Sequence, residues 1–203
     1  MTSSHPVTTL TDLQIWDGRQ MIQADTIQWQ GQLLSFIGSK GDLPATTNMQ
    51  SCAGLTAMPG LVDAHVHLEL NPDDKNPPQH TDPQVIPLMA QRAHAMAKAG
   101  ITTARDLGGG AWFELSLRDR IAAGETVGPR LLCSGQPITS PKGHCHFWGG
   151  EAADLQAARA VLQRQVEHGV DLIKIMATGG RMTRGSEPTD AQFSQADLDA
   201  LVT

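Results

Sequence analysis

Two histidines stand two residues apart in the stretch Met58-Pro-Gly-Leu-Val-Asp-Ala-His-Val-His-Leu68. On a strand, residues i and i+2 share a face, so His65 and His67 project to one side with Asp63 below them. Two imidazoles at the C-terminal end of a strand can bite one metal ion, and parallel α/β folds gather their active sites at that end. The plainer reading is a pair of polar residues at a strand exit, hydrogen-bonded to a loop. A second signal is Lys174, set in Asp171-Leu-Ile-Lys-Ile-Met176, with Leu172 and Met176 on its own face and Ile173 and Ile175 on the other. Lysine is almost never fully buried without a partner, so something must compensate it. Desolvation lowers the pKa of an ammonium group. The neutral amine can then add carbon dioxide to give a carbamate, an anion able to bridge two metal ions. The alternatives are an amine that reaches solvent at the strand end, or one paired with an aspartate such as Asp106.

A third cluster is Gly143-His-Cys-His146, on a loop rich in proline and glycine. A strand-like course would throw Cys145 to the side opposite His144 and His146, which favours a substrate-contacting loop over a structural zinc site. The glycine runs at 108–110 and 179–180 match neither a dinucleotide fingerprint nor a Walker loop, and read as close-approach loops around a small-molecule site. Asp106 reads as a helix N-cap or an acceptor behind the site. His5, His80, His94 and His168 belong to no motif.

These residues need elements to hold them. Short apolar runs at 61–68, 101–107, 131–134 and 170–177 alternate with segments whose apolar residues recur every three or four positions, as in Val85, Leu88, Met89, Ala93, Met96 and in Leu155, Ala158, Val161, Leu162, Val166. Helices are predicted to end at Gly100 and Gly169, each followed at once by a strand, with a last helix from Ser194 onward. Strand, helix, glycine, strand is the signature of βα units with parallel strands, and four such units are expected. Spacing alone admits a doubly wound sheet or a (βα)8 barrel. Residues 7–57 read instead as strands and turns, with strands at 10–16, 26–29 and 33–37.

Of 203 residues 40% are apolar, in short interrupted runs, so no transmembrane span is expected. Fifteen basic residues against 21 acidic ones give a net charge of −6, and the positive charges are scattered, which argues against nucleic-acid binding. Three widely spaced cysteines suit reduced thiols, and residues 1–13 lack a secretory signal pattern; a cytoplasmic location is expected.

Taken together, the stretches 58–67, 100–108, 128–132, 143–151 and 171–180 resemble the metal-dependent amidohydrolase superfamily, in its imidazolonepropionase-like and prolidase-like (Xaa-Pro dipeptidase-like) branch. The resemblance implies a (βα)8 barrel carrying a small β-sandwich. It implies His65 and His67 as metal ligands, Lys174 as a carbamate bridging two metal ions, usually zinc, and His144 and His146 facing the substrate. The implied reaction is attack of a metal-bound hydroxide on an amide or peptide C–N bond of a small molecule or dipeptide. The family draws further histidines and a general-base aspartate from later strands, and no histidine follows His168 here. From Met58 onward 146 residues remain, against roughly 250 for a whole barrel. The expectation is therefore the first half of a TIM-type barrel, residues 58–203, preceded by a partial β-sandwich, residues 1–57. Such a chain would be a truncated amidohydrolase, inactive alone, that self-associates or meets a complementing C-terminal half. The competing readings are a non-catalytic metal-binding remnant and a phosphate-binding α/β module.

Overall fold

A computed structural model of the protein describes residues 6–71 and 84–202, so His5 and His80 lie outside the described residues. The chain divides between Pro59 and Gly60 into two compact units. In the first, β1 (Val7–Thr11), β3 (Thr26–Gln30), β4 (Leu33–Gly38) and β5 (Gln50–Ser51) form a sheet in the order β4-β3-β1-β5, while β2 (Gln14–Ile15) pairs in parallel with β6 (Thr56–Ala57). The strand predicted over 10–16 is thus two strands in two sheets. Asp12 breaks it with a left-handed backbone, φ 61°, which aspartate tolerates better than most residues. Gly31, φ 60°, opens the two-residue turn between β3 and β4.

The second unit alternates β7 (Leu61–Val66), α1 (Val85–Lys98), β8 (Ile101–Asp106), α2 (Phe113–Ala122) and β9 (Arg130–Cys133). The three strands run parallel in the order β7-β8-β9, as βα connections require. α1 ends at Gly100, φ 87°, and α3 (Leu155–Glu167) ends ahead of Gly169, φ 75°, the left-handed positions that glycine occupies without a Cβ penalty. Asp154 caps α3 by accepting the N–H of Ala157 at 2.8 Å. Met89, Ala93, Ala104, Leu117, Leu131 and Cys133 form the core between α1, α2 and the sheet. Burial of Met89 alone is worth about 1.5–3 kcal/mol. Gly60 lets β7 approach β8: a Cβ there would stand 1.9 Å from Oγ1 of Thr102.

The fourth run departs from expectation. Residues 170–177 form no ladder but an extended segment held by single contacts: Asp171 N–H to Cys133 O at 2.8 Å, Ile138 N–H to Lys174 O at 2.8 Å and Met176 N–H to Ile138 O at 2.8 Å. A lone parallel bridge pairs Ile138 with Ile175. The neighbouring chain explains why. β9 stops at Cys133, Gly135 turns left-handed at φ 67°, and Pro137 has no N–H to offer. Three parallel strands and one tethered segment therefore stand where four strands were expected, and the sheet does not close into a barrel. α4 (Gln195–Val202) follows, with Ser194 and Asp197 exchanging side-chain and backbone bonds at its start. Among the described residues no helix is long and apolar enough to cross a membrane.

Candidate functional site

At the C-terminal end of β7 the ladder slips, with Asp63 opposite Ala104 and Val66 opposite Asp106, so Ala64 and His65 bulge. A bulge re-aims side chains. Here Nε2 of His65 comes to 3.3 Å from Nε2 of His67. His67 is oriented from behind. Its Nδ1 lies 2.9 Å from the carbonyl oxygen of Gly108, which fixes the ring hydrogen on Nδ1 and leaves the Nε2 lone pair facing outward. The buried Trp148 supports the ring from 5.1 Å. Burial pushes His67 down to about 4 against the bond to Gly108, and burial with the charges of Lys174 and Arg105 lowers His65. Both imidazoles are neutral at pH 7.

His65, His67 and His144 line a cleft of 310 Å³ whose opposite wall runs from Lys174 to Gly179. Lys174 is half-buried, and desolvation depresses its ammonium pKa. The pairing with Asp106 is not made. Asp106 is fully buried and instead accepts the N–H groups of Leu68 and Gly108, each at 3.0 Å, fastening the ends of β7 and β8 to each other; burial raises its carboxyl to about 7. His146 lies elsewhere than His144. Cys145 takes a left-handed turn, φ 57°, into a short 3-10 helix (His146–Trp148), so the alternation assumed for that loop is lost. Cys145 packs inward with Trp148 and Met176, and His146 is not among the residues lining the cleft. The glycine runs do make close approaches: a Cβ on Gly109 would lie 2.2 Å from Glu69 Oε2, and one on Gly180 would lie 2.5 Å from the His144 ring. No helix N-terminus stands behind residues 178–180, since the next helix begins at Gln195; residues 108–110 do precede α2, but there the Gly110 N–H already donates to Glu69 Oε2 at 3.0 Å, a carboxylate that disfavours phosphate.

The donor set fits one metal ion in part. With zinc–nitrogen bonds of about 2.0–2.1 Å in tetrahedral geometry, two ligand nitrogens stand about 3.3–3.4 Å apart, matching the His65–His67 separation. Among the described residues no group of three or more His, Cys, Asp or Glu side chains is arranged to hold an ion, so the pair and Lys174 make an incomplete ligand set.

The amidohydrolase family model matches residues 56–203, the whole stretch that carries this cleft. The chain belongs to the amidohydrolase family. It is 27% identical to an ochratoxinase of Aspergillus niger over 84% of this chain and 42% of that protein. The structure of a Xaa-Pro dipeptidase with methionine in its active site superposes with a TM-score of 0.81 at 27% identity, covering 97% of this chain and 53% of that one. The structure of the A. niger ochratoxinase superposes with a TM-score of 0.78 at 24% identity, over 98% and 52%, a likeness of fold. This amidohydrolase chain thus spans about half the length of the relatives it matches.

Within the amidohydrolase unit, one residue that the motif reading missed ties the cleft together. Gln192 Oε1 accepts from Thr139 Oγ1, Ser140 Oγ and the His144 N–H at 2.8–3.1 Å, while its Nε2 donates to the carbonyls of Met176 and Thr178 at 2.9 and 2.6 Å. One amide so staples the His144 loop to the wall that carries Lys174. Nothing in residue type or local spacing marks a lone glutamine for this role; three of its contacts cross about 50 residues.

Proposed function

We propose that this chain supplies the metal-ligand pair His65 and His67 and the bridging carbamate of Lys174 to an amidohydrolase that hydrolyses an amide or peptide C–N bond of a small substrate. The observation that carries the reading is the 3.3 Å approach of the two Nε2 atoms on a cleft shared with Lys174. Each residue has a defined task. His67, clamped by Gly108 O, keeps its Nε2 lone pair toward the cleft and accepts the Nε2–H of His65, which would offer a second lone pair once its hydrogen moves to Nδ1. Lys174, with its ammonium form disfavoured by burial, adds carbon dioxide through neutral Nζ: the N–C bond forms, one proton leaves, and an anionic carbamate results. His144 faces the substrate from the same cleft. Two divalent metals, taken as zinc, would be held by these groups and by ligands from a complementing C-terminal half, and when bound would lower the pKa of water and polarise the scissile carbonyl. The cleft volume lies within the range of small-ligand sites, and methionine bound in the active site of the Xaa-Pro dipeptidase relative supports a substrate of amino-acid or dipeptide size.

The test is hydrolysis of a dipeptide panel, including C-terminal proline and basic residues, by the 203-residue chain with zinc and bicarbonate. No turnover above background is expected without the complementing half. Zinc-dependent turnover that is lost in His65→Ala would overturn the claim that these residues need further ligands. Intact-mass analysis under the same conditions is expected to find a labile carboxylation on Lys174; a strictly unmodified lysine contradicts the bridging role.

A further inference from the structure

His144 and His67 border the same cleft, but their neighbours impose opposite ring chemistry. Nδ1 of His67 meets a carbonyl oxygen, which can only accept, so the hydrogen sits on Nδ1. Nδ1 of His144 instead lies 3.2 Å from Oγ1 of Thr183, a hydroxyl that can donate or accept. The surroundings of that hydroxyl decide between the two. Thr183 is buried, and its Oγ1 already accepts the main-chain N–H of Cys145 at 2.9 Å. Its one proton then has two acceptors within reach, Sγ of Cys145 and Nδ1 of His144, and goes to the nitrogen, the stronger acceptor of the two. A neutral imidazole that accepts at Nδ1 carries its hydrogen on Nε2. The ring is neutral near pH 7, because burial and the charge of Lys174 lower its pKa. Gly180 leaves room for this pose, since a Cβ there would stand 2.5 Å from both Cε1 and Nε2.

We propose that Thr183 is a positioning residue that sets the tautomer of His144, so that the ring offers the cleft an Nε2–H donor for a carboxylate or carbonyl oxygen of the substrate. The inference rests on the reading of the cleft as the substrate site only for the nature of that acceptor. The tautomer itself follows from Thr183 and Cys145. It also separates the histidines by role. In the metal-free protein His67 turns a bare Nε2 to the cleft, whereas His144 turns an Nε2–H.

The experiment is a two-bond proton–nitrogen correlation spectrum of the full chain labelled with 15N-histidine, metal-free and near neutral pH, with the His144 signals assigned by their loss in His144→Gln. Wild-type protein is expected to show the Nε2–H pattern for His144, its unprotonated nitrogen signal belonging to Nδ1. Thr183→Ser, which keeps the hydroxyl, should retain that pattern. Thr183→Val, which keeps the shape and removes the hydroxyl, should shift His144 toward a tautomer mixture or Nδ1–H. An Nδ1–H pattern in the wild type, or an unchanged pattern in Thr183→Val, would overturn the proposal. Should the valine variant not fold, the wild-type and serine spectra still decide it. The measurement needs neither zinc nor substrate, so its failure is distinguishable from a failure of the hydrolase reading.

Discussion

Gln192 shows how much of the site rests on a residue with no chemistry of its own to advertise. Replacing it with leucine removes five side-chain hydrogen bonds and strands partners on both walls of the cleft. With about 1 kcal/mol net per bond and a further cost for orphaned buried groups, a loss of about 2–4 kcal/mol is expected. Urea unfolding of Gln192→Leu against wild type measures it, and an unchanged midpoint would contradict the staple. By contrast, His65, His67, Lys174 and His144, which line one cleft, stand out in the sequence, because closely spaced histidines and a lone lysine in an apolar run are conspicuous by type and spacing. His146 stands out for the same reason but does not line that cleft. Its spacing matched a strand, and only the left-handed turn at Cys145 removes it from the cleft.

At the scale of elements, the parallel order of β7, β8 and β9 and the glycine stops of α1 and α3 were readable from periodicity, since both are local patterns. The fourth strand was not. Whether residues 170–177 pair depends on their neighbour, where Gly135 and Pro137 interrupt the chain. The packing of α2 has its own consequence. It buries Glu114 beside Asp106, Glu69 and Cys133, where the main-chain N–H groups of Glu114 and Gly135 offset only a small part of the cost of its charge. Burial, reinforced by the neighbouring carboxylates, lifts its pKa from 4.5 to about 8. The folded state therefore holds a proton that the unfolded chain releases near 4.5. This contribution to stability is complete below that pH and is lost as pH rises toward about 8. Unfolding free energy measured from pH 4.5 to 8 should decline across that window for this reason, and Glu114→Gln should flatten the decline. A slope unaffected by the substitution would contradict the assignment.

For the whole molecule, β7 is an edge strand among the described residues, and Leu61 and Val62 remain 49% and 68% exposed, with Leu132 of β9 at 36%. An open parallel edge carrying apolar side chains invites pairing with another chain. Sedimentation velocity is expected to show concentration-dependent association, and a clean, stable monomer across the concentration range would contradict it. The chain spans about half the length of its relatives, and among the described residues its cleft holds a histidine pair and a lysine, with no group of three or more His, Cys, Asp or Glu arranged around an ion. The central claim is that His65 and His67 together bind a metal ion. Isothermal titration of zinc into the wild-type chain and into His65→Ala, His67→Ala and the double variant tests it most directly. The account predicts zinc binding by the wild type that each single substitution weakens at least tenfold and the double substitution abolishes; zinc binding of equal affinity in the double variant would contradict it.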